Sequence, residues 1–183
     1  MSTELLAAGE SVSIRKLEAG DLERIVEHGF SVCITEPLTD IRRLNEVYSK
    51  TGMWLDNSGA VAIVSNASGD MVGTTQYFLS SPCIHGFELG YIIHNPRSRG
   101  NGYATEGVRL ISDYLFSKMP NVLRHQLIIE VENTASRKVA ERCGFLREGI
   151  MRSSGLGSDP SDSFLYSRTV KDYENGHSKS HEL

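Results

Sequence analysis

The sequence holds no apolar run approaching the roughly 20 residues that a membrane span needs, so no membrane partner is expected. It is short of cysteine. Cys33, Cys83 and Cys143 are all it has, none in a Cys-x-x-Cys pair, and an odd count argues against a disulfide framework. The opening MSTELLAAGE lacks a basic region followed by an apolar one. No secretory signal is therefore expected, and the reading is of a reduced, cytoplasmic protein. Basic charge is scarce as well. Lys plus Arg is 19 against 23 for Asp plus Glu, a formal net charge of -4, which lacks the basic footprint of non-specific nucleic-acid binding. His85, His94 and His125 have no ligand spacing with carboxylates or cysteines, so no metal is expected. There is no internal repeat. What remains is an ordinary globular composition, 39% hydrophobic over 183 residues. That suits a single domain over residues 1–173 with a polar tail over 174–183 that is expected to be disordered.

The pattern of apolar residues orders the elements. Residues 11–17 (SVSIRKL) alternate as a first strand. A short helix over 20–28 has Asp21 as a candidate cap. Residues 30–39 read as irregular around Pro37. A second helix opens at Thr39 and runs to about Ser49, with Ile41, Leu44 and Val47 on one face. A glycine-bounded loop over 52–59 carries the single tryptophan, Trp54. Strands follow at 60–64, 71–79 and 87–94, separated by the turn signal NASGD and by residues 80–82, and Pro96 ends the last of them. The strongest helix spans 102–118, with Ala104, Val108, Ile111 and Leu115 at helical spacing. Residues 126–131 read as a strand buried on both faces. Asn133 caps a helix to Cys143, with Gly144 at its C′ position. Two strands, 145–151 and 163–170, complete the order β-α-α-β-β-β-α-β-α-β-β. A meander joined to a βαβ-like crossover makes an α/β fold with a mixed sheet.

The loop after the third meander strand carries the chemistry. Gly100 and Gly102 allow a tight turn and close approach of an anion to the backbone. The following helix presents first-turn N–H groups and its positive dipole end. Arg97 and Arg99 add charge-assisted hydrogen bonds suited to phosphate oxygens. The combination reads as a pyrophosphate cradle. A P-loop is excluded, since no lysine follows the glycines. A dinucleotide fingerprint fits poorly, because Thr105 stands at its last position and the meander precedes the motif.

The run ELGYIIHNPRSRGNGYATEG, with Arg97-x-x-Gly100-x-Gly102 at its centre, followed by ENTASRKVAERCGFLREG, resembles the GNAT acetyltransferase superfamily, and within it the RimJ/RimL branch. The resemblance covers residues 12 to 172 and is strongest from Glu88 to Gly149. It implies the GNAT fold, a central mixed, twisted sheet flanked by helices, and acetyl-CoA as cosubstrate. It implies two neighbouring parallel strands that splay apart. Ile92, Ile93 and His94 then offer backbone hydrogen bonds to the pantetheine arm, as in β-augmentation. Arg97 and the run Arg99, Gly100, Asn101, Gly102, Tyr103, Ala104 and Thr105 hold the pyrophosphate. Asn133 both caps its helix and touches the cofactor arm. Ser136, in the N-x-x-S position, is the candidate donor to the departing thiolate, or else an ordinary first-turn serine. Glu88 is a candidate base or anchor for the amine, or else an exposed strand residue.

Trp54 lies where the family shapes its acceptor pocket, and stacking on an acceptor competes with capping the core. Cys143 reads as core packing, and Tyr77 and Phe78 as strand packing. The expected reaction is direct transfer of acetyl to a primary amine of a small molecule: an amino acid, polyamine, antibiotic or aminoacyl-nucleotide. A protein α-amine is the alternative acceptor, and a non-catalytic CoA-binding regulatory module the alternative class. Selectivity should reside in residues 21–52. Monomer and homodimer both remain open.

Overall fold

The computed structural model describes residues 4–27, 40–81, 84–154 and 161–178. The irregular segment expected over 30–39 and the thiols of Cys33 and Cys83 lie outside them. The chain divides into two compact units, one within residues 1–78 and 90–111, the other within 79–89 and 112–183.

The first unit begins with a hairpin, β1 (Leu5–Ala8) and β2 (Val12–Lys16), paired antiparallel. β2 pairs with β3 (Ser58–Ser65), and β3 with β4 (Met71–Ser81), whose last residues enter the other unit. The sequence pattern misses β1. Its four residues, LLAA, are too short to show a period, and the turn after them is fixed from far along the chain. Glu106 accepts hydrogen bonds from the backbone N–H groups of Glu10, Ser11 (2.9 Å) and Val12 (3.0 Å). A Cβ on Gly9 would overlap that carboxylate. Glu106→Gln is expected to lower stability by about 1–3 kcal/mol, since charged acceptors make the stronger hydrogen bonds. A lower urea midpoint at unchanged slope would show it, and an unchanged midpoint would refute it.

Between β2 and β3 lie a 3-10 turn (Ala19–Asp21), α1 (Leu22–Glu27) and α2 (Ile41–Thr51). Asp21 is not the cap at the helix start. Its carboxylate closes the third position of a capping box, taking the Glu18 N–H at 2.8 Å, and it pairs with Arg15 at 2.6 Å. The cap of α2 is Asp40, accepting from the Arg42 N–H, and Gly52 ends it in a left-handed conformation, while Thr39, where the helix was expected to open, lies outside the described residues. Leu44 is fully buried with Leu17, Leu22, Ile25, Ala60, Ala62 and Met71, while Ile41 and Tyr48 pack at the margin. Val47, expected on that face, is 39% exposed. Tyr48 takes the place given to it because its ring packs while its hydroxyl reaches the Leu17 carbonyl.

Two further elements run through both units. β5 (Ile84–Ile93) ends in the first, and α3 (Tyr103–Lys118) begins there. The predicted stripe of α3 is present: Val108, Ile111 and Leu115 are fully buried. Gly107 permits close helix–sheet packing, since a Cβ there would sit 2.7 Å from Ile63 Cδ1.

The second unit holds β6 (Arg124–Glu130), α4 (Thr134–Arg142), β7 (Leu146–Met151), β8 (Ser163–Thr169) and α5 (Val170–Ser178). Strand order is β1-β2-β3-β4-β5-β6-β8-β7, and β5 and β6 are parallel. The sheet is therefore mixed, as the sequence predicts. The tail was expected to lack order from Glu174, yet α5 continues through Ser178. Its start explains this. Thr169 N–H donates to Asp172 at 2.8 Å and Asp172 N–H to the Thr169 hydroxyl at 3.3 Å, a reciprocal cap.

Candidate functional site

The functional residues named from the sequence fall into two groups, one within each unit. In the first unit, β5 leads into a 3-10 turn at Pro96–Ser98, capped by Asn95, whose side chain accepts from the Arg97 N–H at 2.9 Å. The Arg99 N–H donates to the Pro96 carbonyl, and Asn101 Nδ2 to the Ser98 carbonyl at 3.2 Å. The chain then passes through Gly100 (φ 82°) and Gly102 (φ 80°) before α3 begins. A Cβ on either would meet nothing within 4 Å. The dihedral, not crowding within the protein, is what requires glycine there. Arg97 and Arg99 are exposed, and Arg99 Nε is tethered at 3.2 Å to the Ile93 carbonyl. The loop thus carries two guanidinium groups and two left-handed glycines into a 16-residue helix. That donor set fits the oxygens of a pyrophosphate.

Of the three residues named for backbone pairing, Ile93 carries the Arg99 contact on its carbonyl, and the His94 N–H already donates to the Val72 carbonyl at 2.9 Å. The His94 ring is buried, with Nε2 3.1 Å from the Thr74 hydroxyl. It therefore serves the β4 side of its strand. Trp54 follows Met53, a non-glycine residue at φ 53°. Its ring meets Tyr77 edge-on at 5.3 Å and has Lys16 Nζ 5.4 Å from its centroid. The Tyr77 hydroxyl in turn donates to the Leu55 carbonyl at 2.6 Å. These contacts tie Trp54 to β2 and β4.

In the second unit the parallel ladder joins Gly86, Phe87 and Glu88 to Arg124, His125 and Gln126. Both strands run on beyond it, β5 to Ile93 and β6 to Glu130. Glu88 stands at the last rung. It is half-buried and receives one hydrogen bond, from Gln126 Nε2 to Oε2 at 3.2 Å. Burial holds its carboxyl above the usual carboxylate range, and the Gln126 contact acts in the opposite direction. Asn133 Oδ1 accepts from the Ser136 N–H at 3.1 Å, capping α4 as its sequence predicts, and Ser136 lies half-buried in the first turn.

Two features escape the sequence reading. Gln126 opens the run QLIIEV as a buried polar residue, and its polarity inside an otherwise apolar strand is the only local signal. The second is a buried network. Arg168 donates to Asp113 Oδ1 at 2.6 Å and to the Ser112 hydroxyl at 2.9 Å, and that hydroxyl lies 2.9 Å from His125 Nδ1. The His125 ring lies tilted against Phe116, their centroids 3.9 Å apart, and burial with the Arg168 charge drives its pKa down to about 3. Among the described residues no group of three or more His, Cys, Asp or Glu side chains is arranged to hold a metal.

A family model described as an acetyltransferase (GNAT) domain matches residues 12–146. The spermidine N(1)-acetyltransferase of Vibrio cholerae serotype O1 is 29% identical over 143 residues, covering 75% of this chain and 80% of that protein. The spermidine N(1)-acetyltransferase of Escherichia coli K12 is 26% identical over 149 residues, covering 79% and 77%. A crystal structure of the spermidine/spermine N-acetyltransferase SpeG from Vibrio cholerae superposes with a TM-score of 0.75 at 23% identity, covering 90% of this chain and 96% of that one. At that identity the superposition speaks for the fold.

Proposed function

Since the chain belongs to the GNAT acetyltransferase family, we propose that it is a polyamine N-acetyltransferase. GNAT enzymes take acetyl from acetyl-CoA, and transfer to a small-molecule amine is the activity of the relatives above. The polyamine is the further step. The observation that carries it is Glu88, a half-buried carboxylate whose one hydrogen-bond partner among the described residues is a neutral amide. Other carboxylates of the structure have strong partners: Asp21 has Arg15, Asp113 has Arg168, Glu148 has Arg124, and Glu106 has three backbone N–H groups. Removing a carboxylate from water without a counter-charge is costly. A cationic ligand would supply the missing charge, and a polyamine carries several.

Bound acetyl-CoA supplies the activated thioester. Arg97, Arg99 and the stretch from Gly100 to Thr105 hold its phosphates, and the backbone of Ile92 and Ile93 pairs with its arm. Glu88 accepts a proton from the attacking ammonium at Oε1 or anchors a distal ammonium. As the deprotonated amine nitrogen bonds to the thioester carbonyl carbon and the carbon–sulfur bond breaks, Ser136 Oγ would donate a hydrogen bond to the departing thiolate, and Asn133 holds the turn that presents it. The N-x-x-S start at Asn133 supports placing the chain in the RimJ/RimL-like branch. Trp54 is assigned to packing. We further propose that residues 1–173 act as one catalytic domain.

Release of free thiol from acetyl-CoA tests the reading across spermidine, amino acids and N-terminal peptides. Turnover with spermidine is expected, with kcat about a hundredfold lower in Ser136→Ala, the size of one lost general acid. Thiol release with peptides and none with polyamines would overturn the acceptor assignment.

A further inference from the structure

We infer that Gln126 is the positioning residue for Glu88, holding one carboxylate oxygen so that the other faces the acceptor. The inference rests on the reading of Glu88 given above. Gln126 is 8% exposed, on a strand otherwise filled with Leu127, Ile129 and the buried His125. A primary amide buried there loses its water, and Glu88 Oε2 repays part of that cost. The two residues are direct partners on the last rung of the parallel ladder, so the backbone fixes the distance that the side chains must span. No hydrogen bond to Glu88 Oε1 is found among the described residues.

The neutrality of the amide matters as much as its reach. An arginine or lysine at position 126 would cancel the negative charge that a cationic acceptor needs. The neighbouring titratable groups on the same strand are engaged elsewhere: Arg124 with Glu148 at 2.9 Å, and the neutral His125 with Ser112. The sequence of β4 (MVGTTQYFLSS) holds Tyr77 as its one titratable residue, and that hydroxyl is bound to the Leu55 carbonyl. Gln126 therefore orients the carboxylate and favours its ionised form without neutralising it.

The test compares Gln126→Met, Glu88→Gln and the double variant in the full chain, with spermidine as acceptor. The readouts are the pH profile of kcat/KM, the acetyl-CoA dissociation constant and thermal unfolding. Gln126→Met is expected to move the acid limb of the profile to higher pH. It should also lower kcat/KM at pH 7 by about tenfold, the size of one hydrogen bond to a charged group. Acetyl-CoA affinity should not change, and Gln126→Met should have no further effect in the Glu88→Gln background. An unmoved acid limb in Gln126→Met, with that limb lost in Glu88→Gln, would overturn the inference and leave the role of Glu88 standing. An acid limb that survives Glu88→Gln would remove the role of Glu88 and the inference with it. Should Gln126→Met fail to fold, Gln126→Asn withdraws the amide by one carbon and is held to the same outcomes.

Discussion

Replacing Asp113 with alanine is expected to cost about 3–5 kcal/mol of stability, the usual penalty for removing one partner of a buried ion pair. Arg168 is 7% exposed. Its guanidinium is held by Asp113 at 2.6 Å and Ser112 at 2.9 Å, with the rings of Phe116 and Tyr173 each 5.9 Å away. The aromatic faces attract the cation but cannot replace a carboxylate. Without Asp113 the charge stays buried and loses its hydrogen-bonded counter-ion, with Asp172 left as a carboxylate within electrostatic reach. Urea unfolding measures the loss, and a change below about 1 kcal/mol would show that the charge finds water or another partner. Combining Asp113→Ala with Arg168→Met should recover much of the loss, because an apolar replacement of both partners removes the stranded charge.

The same network predicts acid sensitivity. Ser112 accepts from Arg168 and its hydroxyl lies 2.9 Å from His125 Nδ1, while burial and the Arg168 charge hold the imidazole neutral. With a folded pKa of about 3 against about 6.5 for an unperturbed histidine, the unfolded chain binds one more proton between those values. Stability therefore falls as pH drops below 6.5, by about 1.4 kcal/mol per pH unit, until the native ring itself is protonated near pH 3. Above 6.5 the histidine contributes no slope. Glu148 and Asp172 have carboxyls held below the usual range by Arg124 and by Thr169 respectively, and their losses come later in acid, as pH falls through the carboxylate range. Glu88 runs the opposite way, since burial raises its pKa and protonating it favours the folded state. Unfolding curves at several pH values between 7.5 and 5 isolate the histidine, and Glu88→Gln removes the opposing slope. His125→Asn should flatten the dependence. A wild-type curve that is already flat over that range would mean that the ring titrates normally in the folded protein.

What could be read from the sequence was local. The glycines at 100 and 102, the cap at Asn133, the stop at Gly144 and the buried stripe of α3 each depend on residues within a turn or two of one another. The mixed sheet followed from the meander and one crossover. What could not be read joins residues distant in the chain. Asp113 and Arg168 are separated by 55 positions, and Glu88 and Gln126 by 38. β1 exists because its turn is tied to a glutamate 94 to 96 residues later. Val47 shows a different failure: helical spacing counted it inward, but Tyr48 offered both a packing ring and a hydroxyl with a carbonyl to reach.

The meeting of Gly9 and Glu106 also fixes an order in which this protein can change. A side chain cannot enter position 9 while the carboxylate occupies the space its Cβ would need. The carboxylate can leave first, at the cost of the bonds it makes to Glu10, Ser11 and Val12. A side chain gained at position 9 ahead of any change in the first turn of the helix that follows the glycine loop therefore displaces the carboxylate and loses those bonds. A swap of hairpins between two such proteins should keep its full stability only if position 106 travels with the turn.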